Sequence, residues 1–328
     1  MEIISQREVQ ENLPFNLLIP ALREAFKTQR IEVPLRHHHF FQGVSGKEVS
    51  TLLLMPAWQT NQDVGVKVVT VSPHNSKFQL PSIQGVYFLL DAVTGQPKAL
   101  IDAPSLTAKR TAAASALAAS FLSREDSRTL LMIGTGVLAP ELIQAHCSIR
   151  PIEKVYIWGR SYEKAKKIAH TLEDKITASI EPIEDYTTII SDVDIVSCAT
   201  LSSTPLVFGE QLREGQHIDL VGAYKPNMRE ADNAVLWQSS IFVDTLEGAS
   251  KETGDLAIPL AEGSITPNDI LAELTTLCKG EHMGRTSSKE ITVFKSVGHA
   301  LEDLVAAQLI TKQLGISPAT NHAINQHE

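Results

Sequence analysis

The segment from Leu130 to Ala139 constrains the fold of this chain more than any other. Residues 130–133 read Leu-Leu-Met-Ile, and residues 134–139 read Gly-Thr-Gly-Val-Leu-Ala. Near-continuous apolarity is typical of a strand that is buried on both faces of a parallel sheet. The glycines permit a tight turn and let a pyrophosphate approach the backbone, while the small Ala139 permits close packing between helix and strand. The segment therefore predicts a dinucleotide-binding turn, with a plain tight turn of an α/β fold as the alternative.

After this motif the pattern predicts a doubly wound α/β unit with a parallel sheet. Short apolar runs predict strands at 130–133, 155–158, 195–198, 217–221, 240–243 and 291–295. Helical patterns lie between several of these runs, for example at 162–172, and an amphipathic helix is predicted at 299–313.

The chain before the motif predicts a different architecture, an α/β unit with an antiparallel sheet. Apolar residues at helical spacing occupy 6–29, and β-rich runs lie at 49–55, 64–71, 86–91 and 98–102. The Ala-rich residues 107–122 predict a buried helix, with Thr107 as its N-cap. We therefore expect two domains. Residues 1–124, to which residues 299–328 return, form the first, and residues 125–298 form the nucleotide-binding domain.

The composition argues against several classes of partner. The 328 residues carry a formal net charge of −9 without a long basic run, so no nucleic-acid partner is expected. No window reaches the apolar length of a membrane span, and the N-terminus lacks the pattern of a signal peptide. Cys147, Cys198 and Cys278 stand far apart, which indicates a reducing compartment, and the consecutive His37–His39 alternate between faces and predict no metal site. A cytoplasmic protein is therefore expected.

The residues after the second predicted strand indicate which dinucleotide the turn would hold. An NAD-binding unit usually has Asp or Glu there, whereas this chain has Arg160 and Ser161. Arg160 can pair with a 2′-phosphate, and Ser161 can donate a hydrogen bond to it. We predict NADPH as the preferred cofactor and NADH as a second option. In the alternative interpretation Arg160 is a solvated loop residue and either cofactor binds.

Further strand ends complete the predicted cofactor site. Small residues follow the strands at 195–198 and 217–221, and a Ser-Val-Gly turn follows 291–295. Strand ends of this kind commonly line a bound dinucleotide, although each could equally be an ordinary turn that ends a strand. The predicted cofactor-binding residues are Thr111, Gly134, Gly136, Val137, Leu138, Arg160, Ser161, Thr200, Val221, Gly222, Ala223 and Val297.

Cationic side chains occur in apolar surroundings outside the nucleotide-binding pattern. Lys67 lies in a strand otherwise suited to burial, Arg110 opens the apolar helix, and Arg36 follows Val-Pro-Leu. A buried cation needs an anionic partner, which a small carboxylate substrate would supply. The alternative is that these cations pair with internal acids such as Asp91 or Asp102.

Four motifs, in this order, resemble the ornithine cyclodeaminase/μ-crystallin family: Gly65-x-Lys67, the run from Leu106 to Ser115, Gly134-x-Gly136 and Lys295-Ser296-Val297-Gly298. The resemblance covers nearly the whole chain. It implies a homodimer whose N-terminal domain carries the substrate pocket and the subunit interface, followed by a Rossmann domain and a C-terminal helix that returns to the first domain. It also implies that Arg36, Lys67 and Arg110 hold a substrate carboxylate, and that Lys67 and Ser82 are catalytic, with the Ser82 hydroxyl near substrate and nicotinamide.

One departure from the family pattern bears on the reaction. In ornithine cyclodeaminases an Asp follows Gly-Gly or Gly-Ala after the fourth Rossmann strand and handles the proton of the substrate amine. This chain has Tyr224 there, and a phenol is a poor general base near neutral pH. Reduction of a protonated cyclic imine needs only hydride. The chain therefore looks like the ketimine and Δ1-pyrroline-2-carboxylate reductases of the family.

The predicted reaction is the reduction of Δ1-pyrroline-2-carboxylate to L-proline, or of Δ1-piperideine-2-carboxylate to L-pipecolate. Two alternatives stay open. An ornithine cyclodeaminase with bound NAD would need Glu230 or Asp232 as its base. A non-catalytic protein similar to μ-crystallin would hold NADPH and a hormone-like ligand.

Overall fold

The computed structural model describes residues 1–42 and 49–316, and contacts within the chain define two units. The first unit comprises residues 1–14, 29–107 and the chain from residue 300, and the second comprises residues 15–28 and 108–299. The predicted division at residue 124 stays a prediction. The part of the predicted C-terminal return that follows residue 316 lies outside the described residues.

Helices separate most of the strands. In chain order the helices are α1 Gln6–Asn12, α2 Phe15–Thr28, α3 Ala103–Leu122, α4 Ala139–Ile149, α5 Tyr162–Leu172, α6 Asn233–Trp237, α7 Leu246–Glu252, α8 Gly254–Ala261, α9 Leu274–Lys279 and α10 Ala300–Gln313. The strands are β1 Glu2–Ile4, β2 Ile31–Glu32, β3 His37–Gln42, β4 Val49–Gln59, β5 Asp63–Val71, β6 Ile83–Asp91, β7 Pro97–Asp102, β8 Thr129–Ile133, β9 Lys154–Trp158, β10 Ser179–Pro182, β11 Ile195–Cys198, β12 His217–Leu220, β13 Ser239–Val243, β14 Ile270–Glu273 and β15 Ile291–Lys295. Among the described residues, no helix combines the length and apolarity that crossing a membrane would need.

A seven-stranded sheet forms the centre of the first unit as far as that unit is described. Its order is β1-β7-β6-β5-β4-β2, and β3 also pairs with β4. The four predicted strands are confirmed as β4 to β7, and they pair antiparallel as expected. Strands β1 to β3 were missed. The first two are too short to show a period, and β3 is exposed along its whole length, so it has no apolar alternation.

Helix α10 packs on one face of this sheet, which confirms the predicted return to the first unit. Lys67, Val69 and Val71 on β5 are buried, while the side chains between them are only half-buried. The predicted amphipathic character of α10 is wrong, because residues 300–307 are all buried. The helix packs against β4, β5, β6 and α1, so it exposes little surface to water.

Gly65 is required by its neighbour in the sheet. Tyr87 on β6 is fully buried, and a Cβ atom at Gly65 would stand 1.9 Å from the Tyr87 hydroxyl oxygen. Any side chain at this position would therefore force the ring to move. The hydroxyl has no hydrogen-bond partner among the described residues. Burial raises the pKa of the phenol well above its ordinary value, and the charges of Asp303 and Asp63 act in the same direction.

Helix α3 begins one turn before the predicted start. The Asp102 carboxylate accepts the Ser105 amide at 2.9 Å and the Ser105 hydroxyl at 2.6 Å, so Asp102 caps the helix and the prediction of Thr107 as N-cap is wrong. Thr107 lies inside the helix instead. Every residue from Ala112 to Ala119 is buried, which confirms the predicted apolar helix.

The second unit, which is described throughout, contains an eight-stranded parallel sheet in the order β10-β9-β8-β11-β12-β15-β13-β14. The six strands predicted after the motif are confirmed, and so is the helix at 162–172. Strands β10 and β14 were missed because each is a short edge strand of four residues. Because β8 lies between β9 and β11, the order reverses at β8, and this switch point is where doubly wound sheets bind ligands.

Buried polar contacts surround Asp219 at the centre of this sheet. Its carboxylate accepts the Ser197 hydroxyl of β11 at 2.7 Å and the Ser115 hydroxyl of α3 at 2.9 Å, and it lies 3.1 Å from Nε2 of His146 on α4. Burial opposes the charge on Asp219, but the hydrogen bonds from His146 and Ser197 lower its pKa below the ordinary value. Since all four side chains are fully buried, the cluster is structural.

A second polar pair lies two residues earlier on β12. Nδ1 of His217 lies 3.0 Å from the Thr292 hydroxyl on the neighbouring β15. Burial lowers the pKa of His217 to about 3, so the imidazole is neutral near pH 7. Strand β12 is therefore joined by polar side chains to both of its neighbours.

Candidate functional site

The switch point brings the glycine turn against the end of the neighbouring strand. Gly134 has a φ of +127°, and a Cβ atom there would lie 2.5 Å from the carbonyl oxygen of Ala199, which follows β11. Both conditions restrict this position to glycine. The Gly134 amide donates to the Trp158 carbonyl at 2.8 Å, so the turn is attached to β9 as well.

The second glycine of the motif faces open space. A Cβ atom at Gly136 would meet no heavy atom within 4 Å, and the neighbouring Val137 is 78% exposed. Among the described residues, the amides of Gly136, Val137 and Leu138 find no acceptor, and no side chain caps α4. Unsatisfied amides at the start of a helix are suited to an anion. This turn therefore fits the pyrophosphate of a dinucleotide.

The end of β9 presents a cation and no carboxylate. A Cβ atom at Gly159 would lie 2.6 Å from the Thr135 side chain, so this strand end packs against the glycine turn. Arg160 is exposed and forms no ion pair within the part of the chain that the structure describes. Ser161 is the N-cap residue of α5, but its side chain accepts no capping hydrogen bond. This pair of side chains suits a phosphate on the ribose.

One buried carboxylate, that of Glu230, joins the ends of β11 and β12. It accepts the amides of Thr200, Gly222 and Ala223 at 2.6, 2.7 and 3.2 Å, and the Thr200 hydroxyl at 2.8 Å. Glu230 is fully buried and surrounded by donors, which argues against the alternative in which it acts as a base. Asp232, the other alternative base, is the N-cap of α6.

Two further charged residues organise the remaining strand ends. Lys295, fully buried at the end of β15, lies 3.0 Å from Asp255 and 4.0 Å from Glu230. Burial raises the pKa of Glu230, and the charge of Lys295 acts against that rise. Asp244 follows β13 and accepts the Val297 amide at 2.7 Å, so the Ser-Val-Gly turn is held in place.

The predicted carboxylate-binding Arg110 lies on α3 with an exposed fraction of 4%. Its guanidinium lies over Gly298, because a Cβ atom there would stand 2.5 Å from a guanidinium nitrogen. Thr111, the next residue, is also buried.

Tyr224 follows Ala223 in the loop after β12, at the position where ornithine cyclodeaminases have an Asp. It is half-buried, and the Lys225 ammonium lies 5.4 Å from the centre of its ring.

The predicted cation Lys67 forms a buried ion pair with an acid of the protein itself. Its Nζ lies 3.0 Å from Oδ1 and 2.8 Å from Oδ2 of Asp303 on α10. Lys67 therefore pairs with an internal acid, although not with either of the two acids suggested for it, and its role in binding a substrate stays a prediction. Asp91 pairs with Lys98, and Asp102 caps α3. Asp303 could not be predicted as the partner of Lys67 from local patterns, because 236 residues separate the two in the chain.

Two predicted substrate residues lie near strand ends of the first unit. Arg36 is half-buried just before β3. Ser82 is exposed just before β6, and its carbonyl accepts the Ser72 amide at 2.7 Å. The roles given to these two residues stay predictions.

The histidines of β3 were considered as metal ligands. His37 and His39 stack on one face of the strand. In the described ranges no group of His, Cys, Asp and Glu side chains is arranged to hold a metal.

Comparison with known proteins agrees with this architecture. A model of the ornithine cyclodeaminase/mu-crystallin family matches residues 1–315. A Delta(1)-pyrroline-2-carboxylate reductase of Colwellia psychrerythraea is 37% identical over 316 residues, which are 96% of this chain and 99% of that protein. The structure of the Thermococcus litoralis Delta(1)-pyrroline-2-carboxylate reductase in complex with NADH and L-proline has a TM-score of 0.89 at 34% identity, over 96% of this chain and 99% of that one. An archaeal alanine dehydrogenase dimer with bound NAD has a TM-score of 0.84 at 30% identity, over 95% of both chains.

The two motif glycines should respond differently to substitution. Gly136→Val adds a side chain in open space, so we expect the midpoint of thermal unfolding to stay within about 2 °C. Dinucleotide affinity should fall at least about tenfold, since the added side chain takes the space of the pyrophosphate. Gly134→Val should lower the unfolding midpoint, because the positive φ and the Ala199 carbonyl both oppose a side chain. Calorimetry and fluorescence titration with NADPH and NADH measure both quantities, and unchanged affinity in Gly136→Val would contradict the assignment of the turn.

Proposed function

The chain belongs to the ornithine cyclodeaminase/mu-crystallin family, and we propose that it reduces cyclic ketimine carboxylates with a reduced nicotinamide cofactor. The favoured reaction converts Δ1-pyrroline-2-carboxylate to L-proline, with Δ1-piperideine-2-carboxylate to L-pipecolate as the six-membered counterpart. The observation that carries the proposal is full-length similarity to reductases of the first substrate, one of which was solved with NADH and L-proline.

The second unit supplies the residues that would hold the cofactor. A reduced nicotinamide, when bound, supplies the hydride that the imine carbon accepts. The amides of Gly136, Val137 and Leu138 would bind the pyrophosphate at the start of α4. The strand ends held by Glu230 and the turn held by Asp244 would line the rest of the dinucleotide, namely Thr200, Val221, Gly222, Ala223 and Val297, together with Thr111 of α3.

Buried cations would bind the substrate through its carboxylate. Lys67 and Arg110 are 3% and 4% exposed, and a buried cation favours a negatively charged ligand. Arg110 can make a bidentate contact with a carboxylate, which orients a small rigid ring. The cations orient the substrate ring relative to the cofactor. They also repel the positive charge of the iminium group, and the substrate carboxylate offsets this repulsion. Arg36 as a third cation and Ser82 as a hydroxyl near the reacting centre rest on the family resemblance alone.

The residue after Ala223 favours reduction of an imine over oxidation of an amine. Oxidation needs a base that removes a proton from an ammonium group, and the neighbouring phenol of Tyr224 is a weak base near neutral pH. The two alternative bases, Glu230 and Asp232, both hold backbone amides of the scaffold. Incoming iminium carries the proton already, so this loop suits a reductase.

We favour NADPH as the cofactor because of the end of β9. Arg160 and Ser161 stand where a carboxylate would bind the ribose hydroxyls of NAD, and a carboxylate there would repel a 2′-phosphate. The Thermococcus litoralis reductase was solved with NADH, which supports a nicotinamide cofactor in general. The preference for NADPH over NADH depends on Arg160 and Ser161.

We also propose that two chains associate through the first unit. Strands β3 and β6 of its sheet carry exposed apolar side chains, including Phe40 at 74%, Phe41 at 45% and Ile83 at 45%. Large apolar side chains that are exposed near one another are typical of a protein interface. The archaeal alanine dehydrogenase with a similar structure is a dimer.

The cysteines bear on location. Cys147, Cys198 and Cys278 are all free thiols, as expected in a reducing compartment. We therefore place the enzyme in the cytoplasm.

The reaction can be tested directly with purified protein. We expect oxidation of NADPH, followed by absorbance at the nicotinamide band, when Δ1-pyrroline-2-carboxylate or Δ1-piperideine-2-carboxylate is added, with proline or pipecolate as the product. Ornithine should release no ammonia. NADPH binding without turnover of either imine would instead favour the non-catalytic alternative, and ammonia from ornithine would favour the cyclodeaminase.

In the same assay Arg110→Ala should lower kcat/KM at least about a hundredfold, because a charge-assisted bidentate contact is lost. NADPH affinity should stay unchanged. Arg128→Ala is the matched control, since Arg128 is a surface residue paired with Glu153. Equal activity of the two variants would contradict the role of Arg110.

Arg160→Asp should move cofactor preference toward NADH. The new carboxylate repels a 2′-phosphate and can accept hydrogen bonds from a ribose, so we expect the ratio of kcat/KM for NADPH to that for NADH to fall about a hundredfold. Lys167→Asp makes the same change of charge on the exposed side of α5 and should leave the ratio within about twofold. An unchanged ratio in Arg160→Asp would remove the argument for NADPH.

Light scattering tests the proposed association. The native protein should have twice the mass of one chain, and Phe40→Asp should shift the equilibrium toward the monomer, because a charge would be buried in the interface. Met283→Asp, at a residue of the second unit that is 82% exposed, should leave the mass unchanged. A native monomer at micromolar concentration would contradict the proposal.

A further inference from the structure

The ion pair between Lys67 and Asp303 has a closely defined geometry. The ammonium nitrogen lies about equally far from both carboxylate oxygens, at 3.0 and 2.8 Å, and the two side chains are 4% and 0% exposed. The same nitrogen lies 3.5 Å from the Thr107 hydroxyl of α3. Contacts with the sheet, α10 and α3 therefore determine where the ammonium group points.

The charged surroundings of Lys67 come from several elements. Helix α10 contributes Asp303 and its buried neighbour Glu302. Strand β6 contributes the Tyr87 phenol, which lies opposite Lys67 in the sheet and which burial keeps protonated. The charge of Asp63 on β5 acts on the same phenol. Asp63 lies 2.7 Å from the ammonium of Lys98 and is engaged there. Asp303 supplies the negative charge that is in direct contact with Lys67.

Stability alone is a poor explanation for such a pair. Removing one member of a buried ion pair destabilises a protein, but replacing both members by packed apolar residues is often neutral or stabilising. The adjoining surface is apolar, with Val69 and Leu89 buried on the same sheet. A buried lysine is useful, however, where it must stay charged to bind an anion.

We propose that Asp303 is a positioning residue that keeps Lys67 protonated and directs its ammonium group toward the carboxylate of the substrate. The inference rests on the proposed function, in which Lys67 binds that carboxylate. Because the Asp303 carboxylate is engaged by the ammonium group, it is a partner of the substrate-binding cation and does not act as the base of an amine oxidation.

The pH dependence of carboxylate binding tests the role of Asp303. Asp303→Asn removes the counter-charge, so Lys67 loses its proton more easily, and the alkaline limb of kcat/KM should move to lower pH by at least about one unit. KM should rise about tenfold at neutral pH, whereas kcat changes less. A purely structural role would lower activity at every pH without moving the limb. Asp63→Asn is the matched control, because it also breaks an ion pair of β5, and its limb should stay in place.

Two additions keep the test decisive. Asp303→Glu retains the charge, so its limb should coincide with that of the native protein. Its longer side chain displaces the ammonium group, so KM should rise while kcat stays nearly unchanged, and this rise carries the test if Asp303→Asn does not fold. Binding of pyrrole-2-carboxylate across the same pH range is measured by calorimetry and needs no turnover. The affinity for this acid should fall at alkaline pH, and the pH of this fall should move only in Asp303→Asn. That result supports the inference even if the protein reduces no imine. A limb in Asp303→Asn that coincides with the native limb, or a fall in kcat at constant KM in Asp303→Glu, would overturn it.

Discussion

The hydrogen bonds that converge on Glu230 are the interaction on which the nucleotide-binding edge depends. Strand ends of a parallel sheet leave amides without partners, and a buried amide without a partner is strongly unfavourable. One carboxylate satisfies amides of Thr200, Gly222 and Ala223, and Lys295 offsets its charge from below the edge. The ends of β11 and β12 can therefore approach each other closely at the edge where a dinucleotide would lie. Asp244 has the same function for the turn after β15.

Buried carboxylates act in both units, but their partners differ. In the second unit they mostly accept backbone amides and so determine the path of the chain. In the first unit Asp303 accepts a lysine ammonium, which has chemistry of its own. An acid that holds amides determines the path of the backbone, whereas an acid in direct contact with an ammonium group also favours the charged form of that group. Glu230 was an alternative base in the sequence and proves to hold amides, whereas no local pattern indicated that Asp303 would hold a cation.

Local patterns predicted the strands and the glycine turn because burial on both faces of a sheet leaves a direct signature in the residues themselves. The short strands β1, β2, β10 and β14 and the exposed β3 lack this signature. The contact between Lys67 and Asp303 joins residues far apart in the chain, so no local pattern indicates it. Gly222 is an example of a position where local patterns reveal only part of the reason for the residue. Gly222 was predicted to line the cofactor, and the structure adds a reason for glycine there, since a Cβ atom would stand 2.0 Å from the Thr200 carbonyl oxygen. Thr200 and Gly222 follow different strands, so this contact could not be predicted from the residues around Gly222.

The polar residues of β12 have a consequence for how the sheet assembles. An apolar strand between two apolar neighbours could slide along them by two residues and still bury the same kinds of side chain. Asp219 and His217 remove that freedom, because only one alignment gives the carboxylate its two hydroxyls and the imidazole its threonine. Every shifted alignment would leave a charge in a dry interior without donors. The central strand is thus matched to its neighbours by a few polar contacts, and mispaired versions of the sheet are excluded during folding as well as in the final structure.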